Sequence, residues 1–158
     1  MSASAPEVSE QQVQEDLLRL DTYRGQLNAM LQQHQYLTAS RADHLRAREA
    51  LEGLDRVGDS GQLWIPVGGE TYVHGAAAPG TKVVIGMGSG LVVEVERGTA
   101  IEILADRLGK IDRATQELEG QIRTLEERIQ IISQRIDRLS RGESGEPGVP
   151  VADDVGGD

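Results

Sequence analysis

From Leu104 to Leu139 the chain carries a stripe of aliphatic residues in alternating steps of four and three, a pattern that leaves few folds open. The positions are Leu104, Leu108, Ile111, Thr115, Leu118, Ile122, Leu125, Ile129, Ile132, Ile136 and Leu139, and all but Thr115 are aliphatic. A 3.5-residue repeat keeps one narrow face towards a partner helix and winds the pair into a left-handed supercoil, while Asp, Glu, Arg and Gln fill the faces between. The spacing predicts a coiled-coil helix over residues 97–141.

The N-terminal half repeats the theme less cleanly. Val13, Leu17, Leu20, Leu27 and Leu31 keep the same spacing, which then places Arg24, His34 and Thr38 on the seam. Met30, Leu37, Leu45, Leu51 and Leu54 lie off that stripe, so the apolar face is expected to drift around the helix at a stutter. From Ser9 to Val57 there is no proline and only Gly25 and Gly53 interrupt, which predicts one long helix over 9–57 behind a short disordered N-terminus, 1–8. Arg24 and His34 either set register at a cost in stability, as polar seam residues do, or lie on the surface through local drift. Glu119 with Arg123, and Arg123 with Glu127, read as a solvated face with modest helix support.

Between the helices, over 58–96, charges thin out and glycines separate short runs rich in Val and Ile. Strands are predicted at Gln62–Val67, Thr71–Ala76, Lys82–Met87 and Leu91–Glu96. The breaks at Gly68-Gly69, Pro79-Gly80 and Gly88-Ser89-Gly90 have turn chemistry, because Gly accepts positive φ and Pro fixes the first corner of a turn. Two consecutive hairpins follow. Alone they leave open edges and too little core to stand in water, so these strands are expected to pair with strands of other chains. The residues assigned to that platform are Leu63, Ile65, Val67, Tyr72, Val83, Val84, Ile85, Leu91, Val92 and Val93.

The fold class is therefore α+β, a long antiparallel coiled-coil helical hairpin with two central β-hairpins. At about 1.5 Å per residue each helix would run roughly 65 to 75 Å, with both chain ends at the far tip. Beyond Arg141 the segment GESGEPGVPVADDVGGD lacks periodicity and reads as a disordered acidic tail, 142–158.

Composition narrows the function. With no Phe, one Trp and three Tyr, the chain lacks the aromatic area on which compact cores draw. A net charge of -10 without clustered Lys or Arg argues against nucleic acid and anionic membranes as partners. Fourteen Arg against two Lys, Lys82 and Lys110, on an acidic surface suggests a salt-rich, halophilic cytoplasm. No Cys is present, no apolar run approaches the roughly 20 residues that span a bilayer, and the N-terminus is not that of a signal peptide, which makes a cytoplasmic location the expectation.

Candidate sites of chemistry fall away in turn. Gly86 to Gly90, GMGSG, invites a phosphate-loop reading, but Leu91 stands where a third glycine is needed, and a hairpin turn explains the run. His34, His44 and His74 do not have the spacing of a metal site. Trp64 and Tyr72 on neighbouring strands suit packing within the platform. No acid, base and nucleophile share a pocket, so an enzyme is not expected, and neither catalytic, cofactor nor metal residues are assigned.

The stretch LWIPVGGETYVHGAAAPGTKVVIGMGSGLVVEVERGTAIEIL, Leu63 to Leu104, resembles the alpha subunit of archaeal prefoldin. The points of similarity are a Pro before a Gly-rich turn, a Tyr-Val strand, the run VVIGMGSG and a VVE strand entering the second helix, with flanking heptad helices extending the likeness over about Val8 to Leu139. The resemblance implies two alpha and four beta subunits, β-hairpins joined into intersubunit β-barrels, and six coiled-coil tentacles that hold unfolded polypeptides without ATP and pass them to a group II chaperonin. In that family alpha subunits contribute two hairpins and beta subunits one.

On the same resemblance the client-binding tip is assigned to Val13, Leu17, Leu18 and Leu20 on the first helix and Ile131, Ile132, Ile136 and Leu139 on the second. Most also serve the seam, Leu20 and Ile132 above all, whereas Leu18 and Ile131 sit beside a seam residue and are free to grip. The competing function is a structural adaptor that uses the same β platform for one dedicated partner.

Overall fold

The computed structural model describes residues 5–57, 61–76, 78 and 80–141; the expected acidic tail and residues 1–4 lie outside them. Helix α1 (Ala5–Val57) is followed by strands β1 (Gln62–Gly68), β2 (Thr71–Ala76), β3 (Val83–Gly88) and β4 (Leu91–Val95), and then by helix α2 (Arg97–Ser140). The class is α+β, with strand ends shifted from expectation by a single residue where they shift at all. The start of α1 is different: the helix begins four residues ahead of Ser9, with Pro6 as its second residue. Proline is tolerated there because first-turn amides have no intrahelical acceptor to lose.

The described residues fall into two compact units, one drawn from Met1–Met30 with Gln121–Asp158 and the other from Leu31–Gly120. In the second unit Arg41 Nε donates to Asp112 Oδ1 at 2.6 Å, and His34 Nε2 lies 3.0 Å from Glu119 Oε1. Moving one heptad forward on α1 thus moves one heptad back on α2, which makes the helices antiparallel. The hydrogen bond that Arg41 donates to Asp112, together with the carboxylate's charge, raises the Arg41 pKa above the ordinary guanidinium value. Glu119 therefore faces α1 rather than only its own helix.

Both β-hairpins have one construction used twice. Pro66 pairs with Tyr72 and Gly68 with Thr71, leaving Val67 as the extra residue of a bulge; Gly86 pairs with Val92 and Gly88 with Leu91, leaving Met87 in the same role. Each then closes on two residues of positive φ, Gly69 and Glu70 (both 57°) and Ser89 and Gly90 (51° and 77°). That pair is the mark of a type I′ turn, whose twist matches the flanking strands. GMGSG is a hairpin turn.

The β3–β4 hairpin turns Val83, Ile85, Val93 and Val95 to one side, paired Val83 with Val95 and Ile85 with Val93. This side is covered, with Ile85 buried, and in the same unit Ala100, Leu104 and Leu108 of α2 are buried. Arg107 fastens the helix to the hairpin by donating to the Gly86 carbonyl at 2.5 Å. On β1–β2 the Trp64 and His74 rings meet across the strands in a tilted contact, centroids 3.8 Å apart and planes at 52°.

Glu70 holds a left-handed conformation that L-residues other than Asn, Asp and Gly adopt at a cost of about 1 kcal/mol. Glu70→Gly is expected to raise stability by up to that amount and so raise the denaturation midpoint read by the single tryptophan, and Gly68→Ala, at φ 102°, to lower it. An unchanged midpoint in both variants would show that the turn is not held as described.

Candidate functional site

Two surfaces matter: the helix faces of the chain-end unit, and the apolar faces of the hairpins. The helix faces start from the seam. On α2 the stripe lies where the spacing places it, with Leu118, Leu125 and Ile132 buried at every seventh position and Ile111, Thr115, Ile122, Ile129, Ile136 and Leu139 half-buried between them.

On α1 the phase differs from the one expected. From Val13 to Leu37 the covered positions are Val13, Asp16, Leu20, Tyr23, Leu27, Met30, His34 and Leu37, in steps of three and four. Leu17, Arg24, Leu31 and Thr38 are exposed. Every second seam position was thus misplaced by one residue, and the stripe runs from Val13 to Leu37 without a stutter. Of the three polar residues placed on the seam, His34 is there, paired with Glu119, and Arg24 and Thr38 are not.

Asp16 explains the choice at the chain-end unit. Its residue is only 3% exposed, in a row where an aliphatic side chain would ordinarily sit. Arg135 of α2 reaches it with both arms of the guanidinium, Nε donating to Oδ2 at 2.6 Å and Nη2 donating to Oδ1. A carboxylate is stable in such a place only when paired and hydrogen-bonded in this way. The hydrogen bond to Asp16 raises the Arg135 pKa further, against the opposing effect of desolvation.

The expected tip residues divide accordingly. Leu20 and Ile132 are buried in the seam, and Val13, Ile136 and Leu139 are half-buried. Leu17, Leu18 and Ile131 are exposed, the last two at 71% and 62%. Three aliphatic side chains are therefore free to meet another molecule in this unit. Sequence reasoning missed Asp16, Tyr23, Met30 and Leu37; the heptad running through Tyr23, Met30 and Leu37 was the available signal, and Asp16 disguised its start.

The hairpins carry the larger uncovered surface. Of the platform residues, Ile85 is buried and Leu63, Val83 and Val93 are half-buried, whereas Ile65, Val67, Tyr72, Val84, Leu91 and Val92 are exposed, together with Trp64, Val73 and Met87. Apolar area on this scale, carried by strands, marks an interaction surface.

The arrangement is that of a coiled-coil protein whose paired hairpins bring more apolar surface than the chain itself covers. Residues 23–142 match the family model described as prefoldin subunit, and the chain belongs to the prefoldin family. It is 25% identical over 130 residues to the prefoldin subunit alpha of Methanocorpusculum labreanum, covering 82% of this chain and 88% of that one. To the prefoldin subunit alpha of Pyrococcus horikoshii it is 25% identical over 122 residues, 77% of this chain and 82% of the relative. Two solved structures share the fold. A filamentous PFD from Methanocaldococcus jannaschii matches with a TM-score of 0.62 and 22% identity, over 77% of this chain and 98% of that chain. The prefoldin beta subunit from Thermococcus strain KS-1 matches with a TM-score of 0.53 and 18% identity, over 92% and 100%.

The division between seam and surface is measurable. Leu125→Ala, in the buried row, is expected to lower stability by about 2–4 kcal/mol, and Ile131→Ser to change it by less than about 0.5 kcal/mol, both read from helicity in denaturant. Equal losses would place Ile131 on the seam.

Proposed function

We propose that this chain is the alpha-type subunit of a hetero-oligomeric, ATP-independent holdase, which captures unfolded polypeptides at the ends of its helices and delivers them to a group II chaperonin in the cytoplasm. The observation that carries this reading is the pairing of two uncovered surfaces in a member of the prefoldin family. The strand residues form one, suited to permanent partners, and Leu17, Leu18 and Ile131 form the other.

The partners proposed for the strands are beta-type subunits, two alpha with four beta. Edge pairing and burial of Val84, Leu91 and Val92 would satisfy strands that by themselves form two-stranded sheets with open edges. Apolar side chains on a helix surface bind unfolded segments without demanding one sequence, because hydrophobic attraction follows area and not direction. Capture and release then need no chemistry, and no catalytic role is assigned to any residue. The net charge of -10 and the scarcity of Lys fit a salt-rich cytoplasm, where screening weakens self-repulsion.

The test is light scattering of a chemically denatured client diluted into this chain, a beta-type partner, or both, at high salt and without ATP. Suppression of aggregation by the mixture is expected. Leu18→Ser with Ile131→Ser is expected to reduce that suppression severalfold while assembly and helicity persist, since neither residue is in the seam. Full suppression by the double variant would remove both from the grip, and no suppression by any sample would favour an adaptor with one dedicated partner.

A further inference from the structure

Two seam phases are written into the first part of α1. Val13, Leu20 and Leu27 belong to both, and they are joined either by Asp16 and Tyr23 or by Leu17 and Arg24. The two phases differ by a rotation of α1 of roughly 50°, half the angular step between neighbouring residues. By side-chain hydrophobicity alone Leu17 outcompetes Asp16 for a place against α2. The structure has Asp16 inside, at 3% exposure, and Leu17 outside, at 48%.

We propose that the Asp16–Arg135 pair is a phase lock that holds α1 with Leu17 and Leu18 turned outward. The two hydrogen bonds fix the carboxylate in a plane set by the guanidinium, so they constrain the rotation of α1 as well as its height along α2. A polar group at a core position of a coiled coil has this effect, setting the pairing at some cost in stability. Arg135 reaches in from outside, with its own side chain 47% exposed, so the lock closes from the surface. Arg19 and Glu15 line the same cleft, of about 270 Å³, with Gln12 and Leu139, but Arg135 is the residue that bonds Asp16.

Removing Arg135 strands a carboxylate in the seam, which favours the alternative phase: Asp16 swings to solvent, Leu17 takes its place, and Tyr23 is uncovered as Arg24 moves inward. Arg135 is thus a positioning residue for the aliphatic surface, without belonging to it. The chain has no native cysteine, so single introduced thiols report the phase directly. This readout does not depend on whether the chain captures clients.

The experiment compares labelling rates of Leu17→Cys and Tyr23→Cys in the full chain, with Arg135 present and with Arg135→Ala. In the Arg135→Ala background the Leu17→Cys thiol is expected to slow on the order of tenfold, in proportion to the loss of the outward population, while the Tyr23→Cys thiol speeds up. Adding Asp16→Leu is expected to restore fast labelling at Leu17→Cys, because an aliphatic residue at that position needs no partner. Faster labelling at both thiols would mean that the helix end frays, and unchanged rates at both would mean that packing alone sets the phase; either result overturns the lock.

Discussion

The aliphatic stripe of α2 is the constraint on which the rest depends. Leu118, Leu125 and Ile132 lose nearly all contact with solvent, and each such side chain contributes about 1.5–3 kcal/mol when removed from water. Apart from Ile131 the exposed face of α2 about the seam is largely polar, so this gain is available along one line and from a helix with matching period. The antiparallel course of α1 follows, as do the Arg41–Asp112 ion pair and the His34–Glu119 hydrogen bond along the seam. Exposed pairs of this kind add little energy. Their value is in matching the two helices heptad by heptad.

A seam so narrow absorbs few side chains, and the consequences appear at both surfaces. In the chain-end unit Leu17, Leu18 and Ile131 are left outside because the row beside them is full. Among the described residues of the β-bearing unit each hairpin pairs with itself, giving two separate two-stranded sheets. One side of β3–β4 is covered, with α2 fastened by Arg107 to the Gly86 carbonyl, and the opposite side keeps Val84 and Val92 in solvent. For a member of the prefoldin family, the proposed assembly would supply what a chain without Phe and with a thin core does not provide for itself.

Much of this was legible in the sequence, and what was not has identifiable causes. The α2 stripe and both hairpins could be read because aliphatic periodicity and Gly-rich turns report local geometry. The phase of α1 could not be read from leucines alone. Leu17 and Leu31 drew the seam one residue too far, while Tyr23 and Met30, larger but less obviously apolar, hold the true positions. Asp16 is the sharper case: a carboxylate belongs in a seam only if a cation meets it, and Arg135 lies far along the chain. The helix also starts ahead of the expected Ser9, at Ala5, since Pro6 falls in its first turn, where proline is tolerated. Glu70, at a φ that favours glycine, gave no signal of its own and was placed by the register of the strands around it.

Whether the exposed strand faces receive a beta-type partner, as proposed, is read out by sedimentation velocity. The chain is run alone, with a prefoldin beta subunit, and with that subunit after Val84→Glu and Val92→Glu. A discrete hetero-oligomer that forms with the parent chain and dissociates with the double variant is the expected result. Independent sedimentation of the two proteins, or an assembly indifferent to charges on the β3–β4 face, would contradict the claim.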